Sequence, residues 1–537
     1  MFRKYYILSC SLLAMCSLTA QVSRPKLVVG LVIDQMRWDY LYRFNDLYEE
    51  GGFKRLMNKG FSAENTFVPY VPTYTAVGHT CIYTGSVPAL TGIVGNNWFD
   101  KRTGKNVYCT DDTTVNTVGN TGIAGKMSPD NLWVTTVTDE LRLSNNFKSK
   151  VIGIALKDRG AILPAGHSAN AAYWYDAGKW ISSTHYMKQL PVWVNQFNDK
   201  SYVDSYMSKD WNTLLPMDKY DQSTEDDKSY ETIIKGETSP TFPHRLSAIK
   251  EGRYESFRTT PFGNSFTFDF AKAAIENENM GNNGVTDFLA VSISSTDYIG
   301  HTFGPNSIEI EDTYLRLDRD IADFLQYLDT KIGKGNYTLF LTADHAVAHI
   351  PAFLTEHKIP AGTFEDNELM KGLNQAIESN FGLKNIVLSL QNYQVYLNTD
   401  LLEKQSKDVD AVKKLVIRTL KQKPYIITAF ETDKLATATL PEPLKSMMGN
   451  GYNPKRSGDI QFTLKSGYFD GGTKGTTHGL WNPYDAHIPL LFFGWGIKPG
   501  KINRETYMTD IAATIAALLK IQMPSGCVGK VITEVMK

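Results

Sequence analysis

The sequence predicts an α/β fold, a three-layer α/β/α sandwich carrying inserted cap subdomains, and three observations support that class. The first is Lys26-Leu-Val-Val-Gly-Leu-Val-Ile-Asp34, a continuous apolar run closed by an acid. It reads as a strand buried on both faces, as parallel sheets require. The second is recurrence: similar runs stand at Val151–Leu156, Phe288–Ser294, Tyr337–Thr342 and Ile488–Phe493. The third is what lies between them. Tyr314, Leu317, Ile321, Phe324 and Leu328 place an apolar stripe on one helix, and Ile511–Leu519 forms a late helix rich in Ala and Leu. Strands alternating with helices give the sandwich.

Two stretches break the rhythm. His185 to about Phe266 is polar, aromatic and irregular. Glu365 to about Phe469 has its own helix, Asp408–Lys421, and its own strands, Tyr393–Leu397 and Gln461–Leu464. The expected organisation is one domain over residues 21–537, with insertions around 168–285 and 365–470. Ahead of it, Arg3 and Lys4 precede an apolar run that ends at Leu18-Thr19-Ala20. A basic start, a short apolar core and a small residue at the cut describe a signal peptide over residues 1–20. The expected destination is the periplasm or the outside, with no membrane span after cleavage.

Composition narrows the chemistry. Against 57 acidic residues stand 56 Lys and Arg, a formal net charge of −1. A protein that binds nucleic acid through bulk charge needs a basic excess, so that role is not expected as the primary one. Past the leader only Cys81, Cys109 and Cys527 remain, enough for at most one intramolecular disulfide and without thiolate-metal spacing.

The acids and histidines sit where ligands bind in such sheets, beyond the carboxyl ends of strands. Asp34 ends the first strand, Asp297 and His301 follow the strand at Phe288–Ser294, and Asp344 and His345 follow Tyr337–Thr342. His478 lies in Gly475-Thr-Thr-His-Gly479. Carboxylate and imidazole without Cys suit Zn²⁺ or another divalent ion. Six protein ligands exceed one open catalytic zinc site and suit two ions about 3.5–4 Å apart, the clamp used for in-line displacement at phosphorus. Pro72-Thr-Tyr-Thr75-Ala-Val-Gly-His79 reads as a loop entering a helix, which puts the Thr75 hydroxyl at a helix N-terminus suited to an anion. Thr75 is therefore a candidate covalent nucleophile.

These residues resemble the alkaline phosphatase superfamily, in particular secreted alkaline phosphatases of the PafA type that use Thr in place of Ser. The matching segments are Asp34, the T-Y-T-A-V-G-H-T block, Gly92–Asp100, Ala155–Gly160, Ser294–His301, Thr342–Ala346 and T-T-H-G, in family order. The resemblance implies that Asp297, His301 and His478 hold one Zn²⁺. It implies that Asp34, Asp344 and His345 hold a second, with Thr75 as shared ligand and nucleophile. A phosphothreonine would form and then be hydrolysed. Asn96 matches the residue that hydrogen-bonds a phosphoryl oxygen, and Lys157 and Arg159 match a cationic pair directed at the transferred group.

That pair favours phosphate monoesters as substrates, because a monoester dianion carries charge that a diester lacks. The alternative is a phosphodiesterase or nucleotide pyrophosphatase on the same frame. A sulfatase is not expected, since Thr75-Ala-Val-Gly-His79 offers no Cys or Ser for formylglycine. The acid cluster of a third, magnesium site has no match, and Lys157 would occupy that volume. His79 and His349 are expected to be structural despite their i+4 spacing from Thr75 and His345. Asp485 and His487 are expected to be structural too, and Asp158 to pair with Lys157 or Arg159. Oligomeric state is open.

Overall fold

The structure, a computed structural model, describes residues 23–537, so the expected leader over residues 1–20 lies outside the described residues. Among the described residues the central sheet has ten strands. They are β1 (Leu27–Ile33), β2 (Phe61–Ala63), β3 (Thr117–Val118), β4 (Val151–Ala155) and β5 (Ala171–Asp176). Then come β6 (Lys179–Ser183), β7 (Asp287–Ile293), β8 (Tyr337–Thr342), β9 (Leu490–Gly494) and β10 (Gly500–Ile502). Their order is β10-β2-β9-β8-β1-β7-β4-β5-β6-β3. The middle five, β8, β1, β7, β4 and β5, run parallel. Four of them, β8, β1, β7 and β4, are apolar nearly throughout, as two-sided burial demands.

The last apolar run departs from expectation. Instead of one strand from Ile488, His487–Ile488 pairs antiparallel with Thr66–Phe67 in a separate small sheet. Leu490–Gly494 then joins the main sheet antiparallel to β8. Pro489 separates them: without an N–H it cannot serve a ladder, and the chain changes sheets there.

Helices cover both faces. Those used below are α1 (Thr75–Thr84), α2 (Asp158–Ala165), α3 (Phe262–Asn277), α4 (Ser295–Phe303), α5 (Ile308–Leu328) and α6 (Asp510–Leu519). Neighbours in β5 show the layering. Trp174 packs with Ala161, Ile162 and Ala165 of α2, while Tyr173 points the other way and meets Phe270 of α3 at 5.3 Å. On the α3 side, Phe268 meets Phe324 of α5 at 5.1 Å. The stripe read from sequence (Tyr314, Leu317, Ile321, Phe324, Leu328) is buried throughout. On the α2 side, Tyr83 of α1 meets Phe340 of β8 at 5.8 Å.

The stretch from 168 to 285 begins and ends in the sandwich, because β5, β6 and α3 fall within it. Its irregular middle is tied to α5 by Trp211 and Tyr220, which donate to the two oxygens of Asp312 at 2.7 and 2.6 Å. Residues 365–470 include an antiparallel four-stranded sheet in the order Val387–Gln391, Gln394–Leu397, Ile460–Leu464, Ile426–Glu431. Helices Asp366–Phe381 and Val409–Lys421 contribute to a separate core there, with Leu373, Ile377, Val412, Val416 and Phe462 among its members. Arg456 anchors this unit to the frame. Its guanidinium lies 4.5 Å from the ring of Trp98 and 4.3 Å from that of Trp133, and it donates to the carbonyl of Asn131 at 2.9 Å.

Strand register sets up the site. Ile33 lies opposite Ile293, Val32 opposite Thr342, and Ser292 opposite Ala155. The four central strands therefore end level, and the residues after them leave the sheet at one edge.

Candidate active site

Each candidate ligand arrives from a different strand end or loop. Asp34 continues the β1 ladder, its N–H donating to the carbonyl of Ile293 at 3.0 Å. Asp297 sits in the first turn of α4, with His301 one turn later on the same face. Asp344 and His345 follow β8, and His478 comes from the loop ahead of β9. Thr75 is the first residue of α1. Tyr74 before it gives no side-chain cap; the carbonyl of the Asn96 side chain accepts instead from the N–H of Ala76 at 2.9 Å. Gly78 lets α1 approach the ligands, since a Cβ there would strike the backbone carbonyl of Asp344.

The three histidines are oriented alike. Each Nδ1 donates to a backbone carbonyl: His301 to Thr476 at 2.7 Å, His478 to Thr73 at 2.6 Å and His345 to Ala346 at 3.0 Å. A neutral ring that spends its proton on Nδ1 presents a lone pair at Nε2, the arrangement that prepares imidazole for a metal. Those Nε2 atoms converge. His345 Nε2 lies 3.6 Å from Asp34 Oδ1, 3.4 Å from Asp344 Oδ2 and 3.4 Å from Thr75 Oγ1. His301 and His478 lie 3.3 and 3.6 Å from Asp297 Oδ1.

Two groups have all their ligand atoms within 4.8 Å of one another: Asp34, Asp344 and His345, and Asp297, His345 and His478. The first is the set the resemblance implied. The second differs from it, because His345 stands where His301 was expected. The His345 and His478 rings stack at 3.5 Å, whereas His301 stands 5.1 Å from His478 and meets the cluster through Asp297.

Charge in the cluster is unbalanced. Burial, then the neighbouring Asp297 and Asp344, push the Asp34 carboxyl well above the usual range, against the pull of Lys157. Burial also opposes ionisation of Asp297, yet His301 and Lys157 hold it well below that range. Burial pulls His345 down to about 3. Both oxygens of Asp34 and Oδ2 of Asp344 are buried without a hydrogen-bond partner, for the Lys157 ammonium sits 2.8 Å from Asp34 Oδ2 off the hydrogen-bond direction. Buried anions without partners call for cations. Asp/His donors with orphaned oxygens fit divalent metal ions.

The ammonium of Lys157 spans both halves, 2.8 Å from Asp34 Oδ2 and 2.5 Å from Asp297 Oδ2. Arg159 donates to the Tyr108 hydroxyl at 3.0 Å and leaves its buried Nε without a partner. Asp158 accepts from Tyr108 at 2.6 Å and lies 3.9 Å from Arg159, the pairing expected of it.

One residue escaped the sequence reading. Gln35, buried and left-handed at φ 66°, sends its side-chain amide to Asp297 Oδ1 at 2.8 Å and its backbone N–H to Asp344 Oδ1 at 3.1 Å. Gly300 clears the space, since a Cβ there would collide with the Gln35 side chain. The one signal in the sequence was that glycine inside Tyr298-Ile-Gly-His301.

The other histidines and acids lie around the cluster, His79 nearest, with its Nδ1 3.3 Å from Asp344 Oδ2. His79 bonds the carbonyl of Thr75 at 2.9 Å and Ser292 Oγ at 2.8 Å, and so braces α1 on β7. His349 faces Arg37 and Asn306. Asp485 accepts from the N–H of Leu480, and His487 stacks on Trp38 and Phe67. Cys81, Cys109 and Cys527 are all free thiols.

A doubly covered parallel sheet with paired Asp/His groups at its strand ends and a threonine on the adjoining helix defines a metal-assisted phosphate-ester hydrolase of the alkaline phosphatase superfamily. The family model described as type I phosphodiesterase / nucleotide pyrophosphatase matches residues 28–485, and the chain belongs to that family. It is 57% identical over 524 residues to a Myroides odoratus protein named calcium-transporting ATPase, covering 96% of each. It is 54% identical over 518 residues to alkaline phosphatase PhoV of Synechococcus elongatus, covering 96% of this chain and 94% of that one. Identity to alkaline phosphatase PafA of Elizabethkingia meningoseptica is 53% over 523 residues, 96% of each. A crystal structure of wild-type alkaline phosphatase PafA superposes with a TM-score of 0.94, covering 96% of this chain and 100% of that one.

Proposed function

We propose that the chain is an exported alkaline phosphatase that hydrolyses phosphate monoesters through a phosphothreonine on Thr75, at a site for two Zn²⁺. The observation that carries this reading is the position of Thr75 Oγ1, 3.4 Å from His345 Nε2, the imidazole common to both Asp/His groups. Asp34, Asp344 and His345 would hold one ion, and Asp297, His301 and His478 the other. Bound there, divalent ions supply Lewis-acid stabilisation at the attacking and leaving oxygens and acidify a coordinated hydroxyl.

The chain's own groups do the rest. Thr75 Oγ1 attacks phosphorus, a new O–P bond forms, and the bond to the leaving alcohol breaks; water then cleaves the phosphothreonine and restores Thr75. The first turn of α1 presents N–H dipoles to the transferred group. Because the Asn96 carbonyl is occupied by Ala76, its Nδ2 is available to a phosphoryl oxygen. Lys157 donates one of its three protons to Asp297, which leaves others for the substrate. The unpartnered Nε of Arg159 is a further donor.

The diesterase reading has the description of the family model in its favour. Lys157 and Arg159 weigh against it, since a diester offers them one negative charge fewer than a monoester dianion. The name of the Myroides relative speaks of transport, whereas this geometry bears on ester hydrolysis. Among the described residues no helix is long and apolar enough to cross a membrane. Residues 168–285 and 365–470 would serve as caps over the sandwich edge.

The test is turnover of an aryl phosphate against a bis-aryl phosphate, with zinc and with chelator. Monoester preference abolished by chelator is expected, and a diester preference overturns the reading. Thr75→Ala should form no acid-trappable phosphothreonine.

A further inference from the structure

Thr73 stands two residues before Thr75 and is fully buried. Its carbonyl and its hydroxyl are both committed to the loop that carries His478. The carbonyl accepts from His478 Nδ1 at 2.6 Å. The hydroxyl bonds twice, donating to the carbonyl of Leu480 at 2.9 Å and accepting from the N–H of Gly479 at 3.0 Å. One residue thus holds an imidazole and the backbone that follows it. Such a pattern needs a side chain that donates and accepts from a single atom, which a hydroxyl does.

The rest of the loop is fixed from other directions. Ahead of His478, Thr476 Oγ1 donates to the carbonyl of Ala348 at 2.8 Å, and the N–H of Thr476 donates to the carbonyl of His301 at 3.0 Å. After it, the N–H of Leu480 donates to Asp485 Oδ2 at 2.9 Å. These bonds keep the loop folded, but none of them reaches α1 or the chain entering it. Thr73 makes that link. The two segments run hard against each other, since a Cβ on Gly479 would strike the ring of Tyr74, the residue between the two threonines. Without the Thr73 hydroxyl, the Leu480 carbonyl would lose its partner and the Gly479 N–H would face a carbon. Buried backbone groups are costly to leave unpaired, so the loop would turn them elsewhere and carry His478 with it. His478 Nε2 lies 3.6 Å from Asp297 Oδ1, so that movement is read directly at the Asp/His group.

We propose that Thr73 is a positioning residue whose hydroxyl fixes His478 against the helix carrying Thr75, so that the group of Asp297, His301 and His478 keeps its place relative to the nucleophile. The inference rests on the two-metal reading and has its own test. The Zn²⁺-loaded protein is titrated with a chelator, which follows the release of each ion without reference to turnover. Thr73→Val keeps the shape of the side chain and removes the hydroxyl. It should hold one ion about tenfold less tightly, the scale typical of groups that orient a ligand, and the other within about twofold of wild type. Thr73→Ser keeps the hydroxyl and should hold both ions as the wild type does. Unchanged retention in Thr73→Val overturns the proposal. So does an equal loss of both ions, which is what a general loosening of the fold would give. A Thr73→Ser protein that loses one ion tenfold more readily overturns it as well, by assigning the effect to the methyl group. That arm decides the matter without Thr73→Val, should the valine protein not fold. An unsubstituted chain that binds no Zn²⁺ is a different outcome and overturns the parent reading instead.

Discussion

The side-chain amide of Gln35 donates to Asp297 at 2.8 Å, and the N–H of the same residue donates to Asp344 at 3.1 Å, so one residue orients a carboxylate in each Asp/His group. It is held left-handed, a conformation uncommon for residues with a Cβ and concentrated at functional sites. Partners that orient ligands typically contribute 10–100-fold in metal affinity or activity. Gln35→Ala should therefore weaken metal retention about 10- to 100-fold in a chelator competition, without unfolding the chain. Unchanged retention would reduce Gln35 to a packing residue.

In the proposed function Lys157 is the group on which ester selectivity would turn. Its ammonium is buried between Asp34 and Asp297, and although burial alone lowers such a group, those carboxylates raise its pKa above the usual range. It stays charged at alkaline pH. Lys157→Ala should cut monoester kcat/KM by about 10- to 10²-fold, since a hydrogen bond to a charged group contributes roughly 1.5–3 kcal/mol. Diester kcat/KM should fall far less. An equal fall for both would place Lys157 in the scaffold of the site and remove it from contact with the transferred group.

How much of this was legible depends on which physical signal each feature leaves in the chain. Four of the five parallel strands, β8, β1, β7 and β4, were readable because two-sided burial writes an uninterrupted apolar run. The clustering of Asp34, Asp297, Asp344 and His345 was readable because they stand just after those runs, and the place of Thr75 because a loop entering a helix has a signature. β5 and β6 left a weaker trace, since AAYWYD and KWISS are short, aromatic and set in polar surroundings. The partition of ligands was beyond the sequence. Whether His345 or His301 stands nearer to His478 depends on ring positions fixed by carbonyls from Ala346 and Thr476, and no spacing encodes those. Gln35 was invisible for the same reason: its role comes from one backbone dihedral and the gap at Gly300.

Away from the site, His244 is fully buried between Glu237 Oε2 at 2.8 Å and Glu309 Oε1 at 3.3 Å, among Trp211, Phe242 and Phe303. Burial opposes its charge, but the two glutamates raise its pKa to about 9. Glu231 is also lifted to about 9, by burial and then by Glu309 and Asp226. A histidine raised on folding contributes stability that is complete below its unfolded value near 6.5 and is lost as pH climbs through about 9. A carboxyl raised on folding costs stability from its unfolded value near 4.5 up to about 9, because the unfolded chain gives up the proton first. Both signs agree, so the thermal midpoint should drop between about pH 7 and 10. The His244→Asn protein should show a shallower drop, and identical slopes would assign the alkaline loss to other groups.

Metal removal tests the site without reference to turnover. Asp34, Asp297 and Asp344 place three buried carboxylates around a single ammonium, and three of their oxygens have no hydrogen bond. Such a cluster favours unfolding unless cations bind it, and a ligand that binds only the native state stabilises it by about 1.4 kcal/mol for each tenfold excess over Kd. The apoprotein should therefore unfold at a lower temperature than the holoprotein, and titration with Zn²⁺ should raise the midpoint steadily with the logarithm of free metal. Thr75→Ala keeps all six Asp and His ligands, so it should show nearly the same rise while forming no phosphothreonine. Asp344→Asn removes a carboxylate from the group containing Asp34 and His345 and should flatten the rise. A metal-independent midpoint in the unsubstituted protein would mean that Lys157 and the histidines already balance the cluster, and the two-metal reading would fall with it.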